Sequence, residues 1–143
     1  MSANEMQVGG THYKTHYEHW DMVLNASLGY LEGNATKYLS RWRNKGGVED
    51  LKKALHYVNK LIECAPQVLA QRKERVDPVF RMQEVERFCV INKISVIETK
   101  TIQYLALWET KGSLEEARRR IVRLIECQDV GDESIHDTLG YWD

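Results

Sequence analysis

The chain has 143 residues, of which 43% are hydrophobic and 29% charged, and its formal net charge is −1. This composition can bury a core, so it excludes an intrinsically disordered protein, and the near-neutral charge disfavours strongly basic or polyacidic proteins. Three cysteines without a C-x-x-C pair indicate reduced thiols, and no apolar run approaches the ~18 residues of a membrane span. We therefore expect a small cytoplasmic protein with no membrane partner.

The first part of the chain predicts two helices joined by a glycine turn. At 100° per residue, the apolar side chains of residues 33–44 form one stripe, and those of residues 49–64 form another. Gly46 and Gly47 stand between the two segments, where glycine is typical of a helix C-cap and turn. The pattern indicates a hairpin whose two apolar stripes face each other.

The prolines mark where the chain divides. Only two are present, Pro66 and Pro78, and the segment between them is rich in Gln, Arg, Lys and Glu. Because proline interrupts helices, the sequence predicts a linker here that can hold one helical turn. The predicted organisation is a helical hairpin domain over 1–64, a linker over 65–78, a second hairpin over 79–127 and an acidic tail over 128–143.

An internal repeat relates the two hairpins. The sequence of residues 61–64 recurs letter for letter at 124–127, and an offset of 66 residues pairs Trp42 with Trp108. Each copy is typical of a helix, a short glycine turn and a second helix. The sequence therefore predicts an all-α fold of two hairpins from a degenerate duplication. Two hairpins make a thin core, so we also expect helix faces to be shared in a homo-oligomer.

The second copy keeps the apolar pattern but loses the polar edge of the first. Beside the stripe of the first predicted helix lie Asn34, Lys37 and Arg41. The positions 66 residues further on hold Lys100, Gln103 and Leu107. A hairpin of this type can therefore fold without the polar edge, which favours a functional role for it. The alternative is a solvated basic helix edge.

Anion binding is the chemistry that suits this edge. Between Asn34 and Lys60 there are seven basic residues and two acids, a local charge of +5. Arginine offers a planar fork for phosphate oxygens, and lysine offers a compact charge. Gly46 and Gly47 precede a helix, where backbone N–H groups can approach a phosphate. A plain C-cap and turn is the alternative for this glycine pair.

Other motifs favour structural roles. Residues 33–37 lack the G-x-x-x-x-G-K-[ST] pattern and a preceding strand, so we expect no Walker-type site. The spacing of His12, His16 and His19 can place three imidazoles on one helix face, but without a paired acid or Cys we expect no metal site. The tryptophans at 20, 42 and 108 lie on or beside apolar stripes, which favours the core over base stacking.

Several of these motifs together resemble a known family. The pattern H-Y-K … G-N-A-x-K-Y-x-x-R … K-G-G-x-x-D-L-x-K-A-x-x-Y lies between Thr11 and Glu63. It resembles a domain family of tailed phages, long without known function, that includes the small P-loop-free nucleotide kinase of phage T-seven. The resemblance covers somewhat under half of the chain, and residues from Ala65 onward match it only through the internal repeat.

The resemblance implies an all-α phage protein in the cytoplasm of the infected bacterial host. The implied activity is phosphoryl transfer from a nucleoside triphosphate, with or without Mg²⁺, to a deoxynucleoside monophosphate such as dTMP or dGMP. The implied catalytic residues are Lys37, Arg41 and Asp50, where Asp50 carries a metal or fixes Lys53. The implied nucleotide- and phosphate-binding residues are His12, Tyr13, Lys14, Asn34, Lys37, Arg41, Lys45, Gly46, Gly47, Lys53 and Tyr57.

Two other functions stay open at the level of sequence. A non-catalytic nucleotide-binding protein, such as a sponge for signalling nucleotides or a regulator of host enzymes, would bind tightly without turnover. A nucleic-acid-binding accessory protein would use the basic hairpin on a phosphate backbone, with steep salt dependence. The near-neutral charge of the whole chain disfavours this last function.

Overall fold

A computed structural model describes residues 17–130 of the chain. Within that range the predicted all-α fold is confirmed, with six helices and no strand. The helices in chain order are α1 His19–Asn25, α2 Tyr30–Arg41, α3 Val48–Gln71, α4 Pro78–Ile91, α5 Val96–Ala106 and α6 Lys111–Val130. Among the described residues no helix is long and apolar enough to cross a membrane. We refer to α1–α3 as the first half and to α4–α6 as the second half.

The first predicted hairpin consists of α2 and α3, which pack along each other. Helix α2 begins at Tyr30, three residues before its predicted start, because the chain leaves its extended conformation directly after Gly29. A turn over residues 42–47 then reverses the chain. Gly47 ends this turn with a φ of 59° and a ψ of −147°, a backbone conformation that is nearly restricted to glycine.

Helix α3 continues beyond its predicted end. It runs to Gln71 with Pro66 inside it, so part of the linker predicted over 65–78 is helical and the non-helical connection covers only 72–77. Pro66 lies on the exposed side of the helix, whereas the neighbouring Ala65 is buried. The apolar face therefore holds the helix together although proline donates no backbone hydrogen bond.

The first helix of each half is followed by the same backbone conformation. Ser27 follows α1 with a φ of 57°, and Lys93 follows α4 with a φ of 56°. In both places the next residue donates its backbone N–H to a carbonyl oxygen five residues earlier, at 3.0 Å after α1 and 2.9 Å after α4. Ser27 and Lys93 are 66 residues apart, the offset at which the sequences of the two halves match.

The core is built from corresponding positions of the two halves. The offset is 66 residues between α2 and α5 and 63 residues between α3 and α6. At these offsets buried residues pair as Leu39 with Leu105, Trp42 with Trp108, Leu51 with Leu114, Ala54 with Ala117, Val58 with Ile121, and Leu61 with Leu124. Helix α3 packs against α6 and α2 against α5, so both hairpins share one core. The apolar stripes of the two hairpins are thus buried against each other within one chain.

A buried carboxylate in each half holds a cation that is stacked on a tryptophan. Glu32 on α2 accepts a hydrogen bond of 2.7 Å from the indole of Trp108 and lies 3.5 Å from Arg72, which stacks on that indole. Glu98 on α5 pairs with Arg43 at 2.7 Å, and Arg43 stacks on Trp42. The hydrogen bond from Trp108 to Glu32 and the ion pair of Arg43 with Glu98 cross between the halves and fix their packing.

Candidate functional site

Three cationic side chains of the first hairpin converge on the ring of Tyr38. The distances to the ring centroid are 4.8 Å from the guanidinium carbon of Arg41 and 5.4 Å from the Nζ atoms of Lys37 and Lys53. Lys37 and Arg41 lie one turn apart on α2, and Lys53 reaches the ring from α3. The structure thus brings together three residues that the sequence singled out. We call Lys37, Arg41 and Lys53 the cationic cluster.

Asp50 is the acid beside this cluster and is almost completely buried, with 1% of its side chain exposed. Its Oδ2 atom lies 3.1 Å from Nε of Arg41, and its Oδ1 atom lies 3.4 Å from Nη2 of the same residue. The backbone N–H of Gly46 donates to Oδ2 at 3.0 Å. Both carboxylate oxygens therefore position Arg41 and the turn, so Asp50 fixes Arg41 and not Lys53.

The ion pair leaves part of the Arg41 guanidinium available. Asp50 engages the edge formed by Nε and Nη2, and a third of the Arg41 side chain is exposed to solvent. The donors on Nη1 point away from this engaged edge because the guanidinium is planar. Arg41 is therefore held in one orientation while it keeps donors for an anion.

The glycine turn has a structural role instead of the predicted contact with phosphate. The N–H of Gly46 donates to Asp50, and the N–H of Gly47 donates to the carbonyl oxygen of Trp42 at 2.8 Å. Neither N–H is available to a ligand. A Cβ atom on Gly46 would lie 2.2 Å from the carboxyl carbon of Asp50, so only glycine lets this carboxylate reach the turn.

Aromatic rings extend the surface of the cluster. Tyr57 on α3 stacks on Tyr38 with ring centroids 6.0 Å apart and an interplanar angle of 15°. Tyr30, at the start of α2 and largely exposed, meets Tyr57 edge to face at 6.2 Å. The nearby hydroxyl group of Tyr30 raises the pKa of Tyr57 above its usual value.

A cavity of about 350 Å³ lies next to the cluster, between α1 and the start of α2. Its lining residues include Lys37, which it shares with the cluster, and Asn34, whose amide nitrogen is held by the carbonyl oxygen of Tyr30 at 2.9 Å. Trp20 also lines this cavity and is 52% exposed, so its predicted place in the core is wrong. The reason is that the short α1 turns only Met22 fully into the core.

His19 forms the inner side of this cavity in its neutral state. Its Nε2 atom lies 2.8 Å from Oγ1 of Thr36, and that hydroxyl group has a carbonyl acceptor, the oxygen of Glu32, at 2.9 Å. Nε2 therefore carries the imidazole proton and Nδ1 is left as an acceptor. Burial, and secondarily the charge of Lys37, lowers the pKa of His19 to about 4. The sequence favours a surface or capping role for His19 over metal binding, whereas the structure places its ring against Thr36.

The other predicted binding residues lie either in the turn after α2 or outside the described part of the chain. Lys45 is exposed in the turn between α2 and α3. The predicted binding residues His12, Tyr13 and Lys14 lie outside the described residues, as does His16. Within residues 17–130, no group of three or more His, Cys, Asp or Glu side chains could hold a metal ion.

One family model matches the chain, and it covers the helices that carry the site. The family is described as a protein of unknown function (DUF3310), and the match spans residues 10–59. These residues include α1, α2 and the first turns of α3, and thus every member of the cationic cluster. No curated protein and no solved structure matches the chain significantly. The second half lies outside the family match.

Proposed function

We propose that the first half binds the phosphate groups of nucleotides at the cationic cluster and transfers a phosphoryl group from a nucleoside triphosphate to a deoxynucleoside monophosphate. The observation that carries this proposal is the convergence of three cations on Tyr38, one of which, Arg41, is paired with the buried Asp50. Such a cluster has a net charge of about +2, which a phosphate dianion would neutralise. The phage family that the sequence resembles supports the kinase activity.

The cavity beside Lys37 supports a nucleotide as the ligand. An exposed indole and a phenol ring, from Trp20 and Tyr30, line it together with the amide of Asn34. Aromatic faces stack on nucleobases, and an amide can hydrogen-bond a base or sugar. A base in this cavity would place its phosphate groups toward Lys37 and the rest of the cluster.

In this proposal the residues divide into ligand contacts and positioning groups. Lys37, Arg41 and Lys53 would stabilise the charge that spreads over the phosphate oxygens in phosphoryl transfer. Asp50 holds Arg41 in the required orientation. The described residues do not fit a protein-held Mg²⁺ ion, because the Asp50 oxygens already accept hydrogen bonds from Arg41 and Gly46.

Binding without catalysis is the second candidate function. It is favoured by the same ion pair, because the Asp50 oxygens are engaged by Arg41 and Gly46 and therefore are poorly placed to bind the Mg²⁺ ion that phosphoryl transfer commonly uses. A nucleotide sponge or a regulator of host enzymes would need only the cations and the aromatic cavity. Binding of nucleic acid is less favoured because the chain as a whole is near neutral.

The architecture supports an origin by internal duplication. The positive φ values after α1 and α4, the buried pairs of the core and the two cross-half carboxylates all follow the sequence offset. In this view the second half occupies the place that a second copy of the first half would take in a dimer. Phage origin, cytoplasmic localisation and a homo-oligomer stay predictions.

The experiment is chromatography of dTMP, dGMP, dAMP and dCMP after incubation with a nucleoside triphosphate, Mg²⁺ and the full chain. Diphosphate formation supports the kinase, and calorimetric binding without product supports the second candidate. The absence of both turnover and binding would contradict the proposal. The site variant is Arg41→Leu/Asp50→Ser, which carries the residues found at the corresponding positions of the second half and leaves no buried charge unpaired.

A matched control separates the cluster from a general loss of positive charge. Lys60 is an exposed lysine of α3 that pairs with Glu63 at 3.8 Å and lies outside the cluster. We expect Lys37→Gln to lower activity or affinity at least tenfold and Lys60→Gln to leave both within twofold. Equal effects of the two variants would contradict a specific site.

A further inference from the structure

The second half has a pocket where the first half has its ion pair. The residues that correspond to Arg41 and Asp50 are Leu107 on α5 and Ser113 on α6. These shorter side chains line a pocket of about 270 Å³. Its other lining residues are Lys100, Gln103 and Tyr104. The space between the two helices that a guanidinium and a carboxylate share in the first half is thus open in the second.

The lining of this pocket holds fewer cations than the cationic cluster. Its five lining residues include one cation, Lys100, and no acid. The ring of Tyr104 lies 5.3 Å from the guanidinium carbon of Arg120, which is 98% buried. Arg120 in turn lies 4.0 Å from Glu116. Arg120 therefore places a cation beside the aromatic wall of the pocket, at the position that corresponds to Tyr57 of the first half.

We propose that this pocket is a second ligand site, which binds a small carboxylate carried on an apolar body. Leu107 and the ring of Tyr104 supply the apolar walls, and Lys100 supplies the charge that attracts a carboxylate. The side-chain amide of Gln103 and the hydroxyl group of Ser113 are donors for its oxygens. A singly charged ligand matches one lining cation, whereas the three cations of the first half suit phosphate groups.

The pocket does not result from loose packing of the second half. The surrounding core positions of α5 and α6 are filled to the same extent as in the first half, with Leu105, Leu114 and Ala117 buried. At the two positions of the ion pair, Leu107 and Ser113 are both uncharged. Charge was removed from both partners of the ion pair, so no uncompensated charge was left behind.

The test is an NMR titration of the full chain with sodium benzoate, a carboxylate on an apolar ring, and with benzamide, its uncharged counterpart. Benzoate should shift the amide signals of Gln103, Tyr104, Leu107 and Ser113 in a saturable way. Benzamide should bind at least tenfold more weakly because it lacks the charge that Lys100 attracts. Absence of saturable shifts with benzoate, or equal binding of benzamide, would overturn the proposal.

The blocking variant is Leu107→Arg/Ser113→Asp, which carries the ion-pair residues of the first half and should lower benzoate affinity at least tenfold. Its control is Val90→Arg/Gln83→Asp, which adds the same two charges at exposed positions of α4 and should bind normally. Unchanged binding by the blocking variant would overturn the proposal.

Lys100→Gln is a milder second variant that tests the site even if the blocking variant misfolds. We expect it to weaken benzoate binding at least threefold and to leave benzamide binding unchanged. Inorganic pyrophosphate is the contrasting probe. Tighter binding of pyrophosphate than of benzoate at this pocket would overturn the assigned ligand class.

Discussion

The two halves of the molecule use the same buried apolar positions but fill the space between their long helices differently. In the first half, Arg41 and the buried Asp50 form an ion pair on which the turn at Gly46 depends. In the second half, Leu107 and Ser113 leave this space as a pocket. A hairpin of this type can therefore fold without the ion pair. We therefore propose that the ion pair holds the Arg41 guanidinium for the ligand of the cationic cluster.

The largest expected effect comes from the glycine turn. Gly46→Ala should destabilise the protein by about 3–5 kcal/mol, because the new Cβ would displace the buried Asp50 carboxylate from its partners. The matched variant Gly112→Ala lies in the first turn of α6, where a Cβ meets only the side chain of Thr110 at 3.6 Å. It should change stability by less than about 1 kcal/mol. Urea denaturation measures both, and equal losses would contradict the structural difference between the turns.

The next largest effect is a loss of stability at acidic pH. His19 has a pKa of about 4 in the folded chain against 6.5 for an unperturbed histidine, so the unfolded chain binds the proton first as the pH falls. His19 therefore lowers the free energy of unfolding as the pH falls from 6.5 toward 4, by about 3 kcal/mol in total. Above pH 6.5 it has no such effect, because the histidine is neutral in both the folded and the unfolded chain.

A variant without His19 isolates this contribution. His19→Gln keeps a donor for Thr36 but does not titrate, so the free energy of unfolding should fall less between pH 7.5 and pH 4.5 than in the native chain. Urea denaturation at both pH values provides the measurement. Parallel pH profiles would show that His19 is not the group responsible.

A smaller effect on stability is expected when the ion pair of Arg41 and Asp50 is broken, and it depends on whether one partner or both are removed. Arg41→Ala leaves the Asp50 carboxylate buried and without its cation, which should cost about 2 kcal/mol after allowance for the exposure of Arg41. Arg41→Leu/Asp50→Ser removes both charges and should cost less than the single variant. A double variant that is less stable than Arg41→Ala would mean that the ion pair itself stabilises the hairpin.

The smallest predicted difference lies in the contacts between the halves. Arg72, the partner of Glu32, is 14% exposed, whereas Arg43, the partner of Glu98, is 41% exposed and better screened by solvent. We expect Glu32→Gln to cost about 1–2 kcal/mol and Glu98→Gln less than about 1 kcal/mol. Thermal unfolding would check the order, and the reverse order would contradict the account of the interface.

Helical periodicity and the internal repeat were sufficient to predict the all-α fold and the buried positions of both hairpins. The end of α3 could not be predicted in the same way, because the helix passes through Pro66 on the strength of its apolar face. Trp20 was misplaced because a short helix such as α1 gives too few residues to define which face is buried.

The candidate site was predictable only in part. The cations Lys37, Arg41 and Lys53 stand out in sequence because they lie beside an apolar stripe and have no counterparts in the second copy. Their convergence on one tyrosine ring and the pairing of Arg41 with Asp50 depend on how α2 packs against α3. The pocket of the second half could not be predicted, because the sequence shows Leu107 and Ser113 at the ion-pair positions but not how α5 packs against α6 around them.

The most direct test of the central claim is an NMR titration of the native chain with inorganic pyrophosphate, which carries the phosphate charge of a nucleotide without its base. We predict saturable shifts at residues 37–57 of the first half that disappear in Arg41→Leu/Asp50→Ser, with much smaller shifts at the corresponding residues of the second half. Equal shifts in both halves, or binding that survives in the double variant, would contradict a phosphate site built on the cationic cluster.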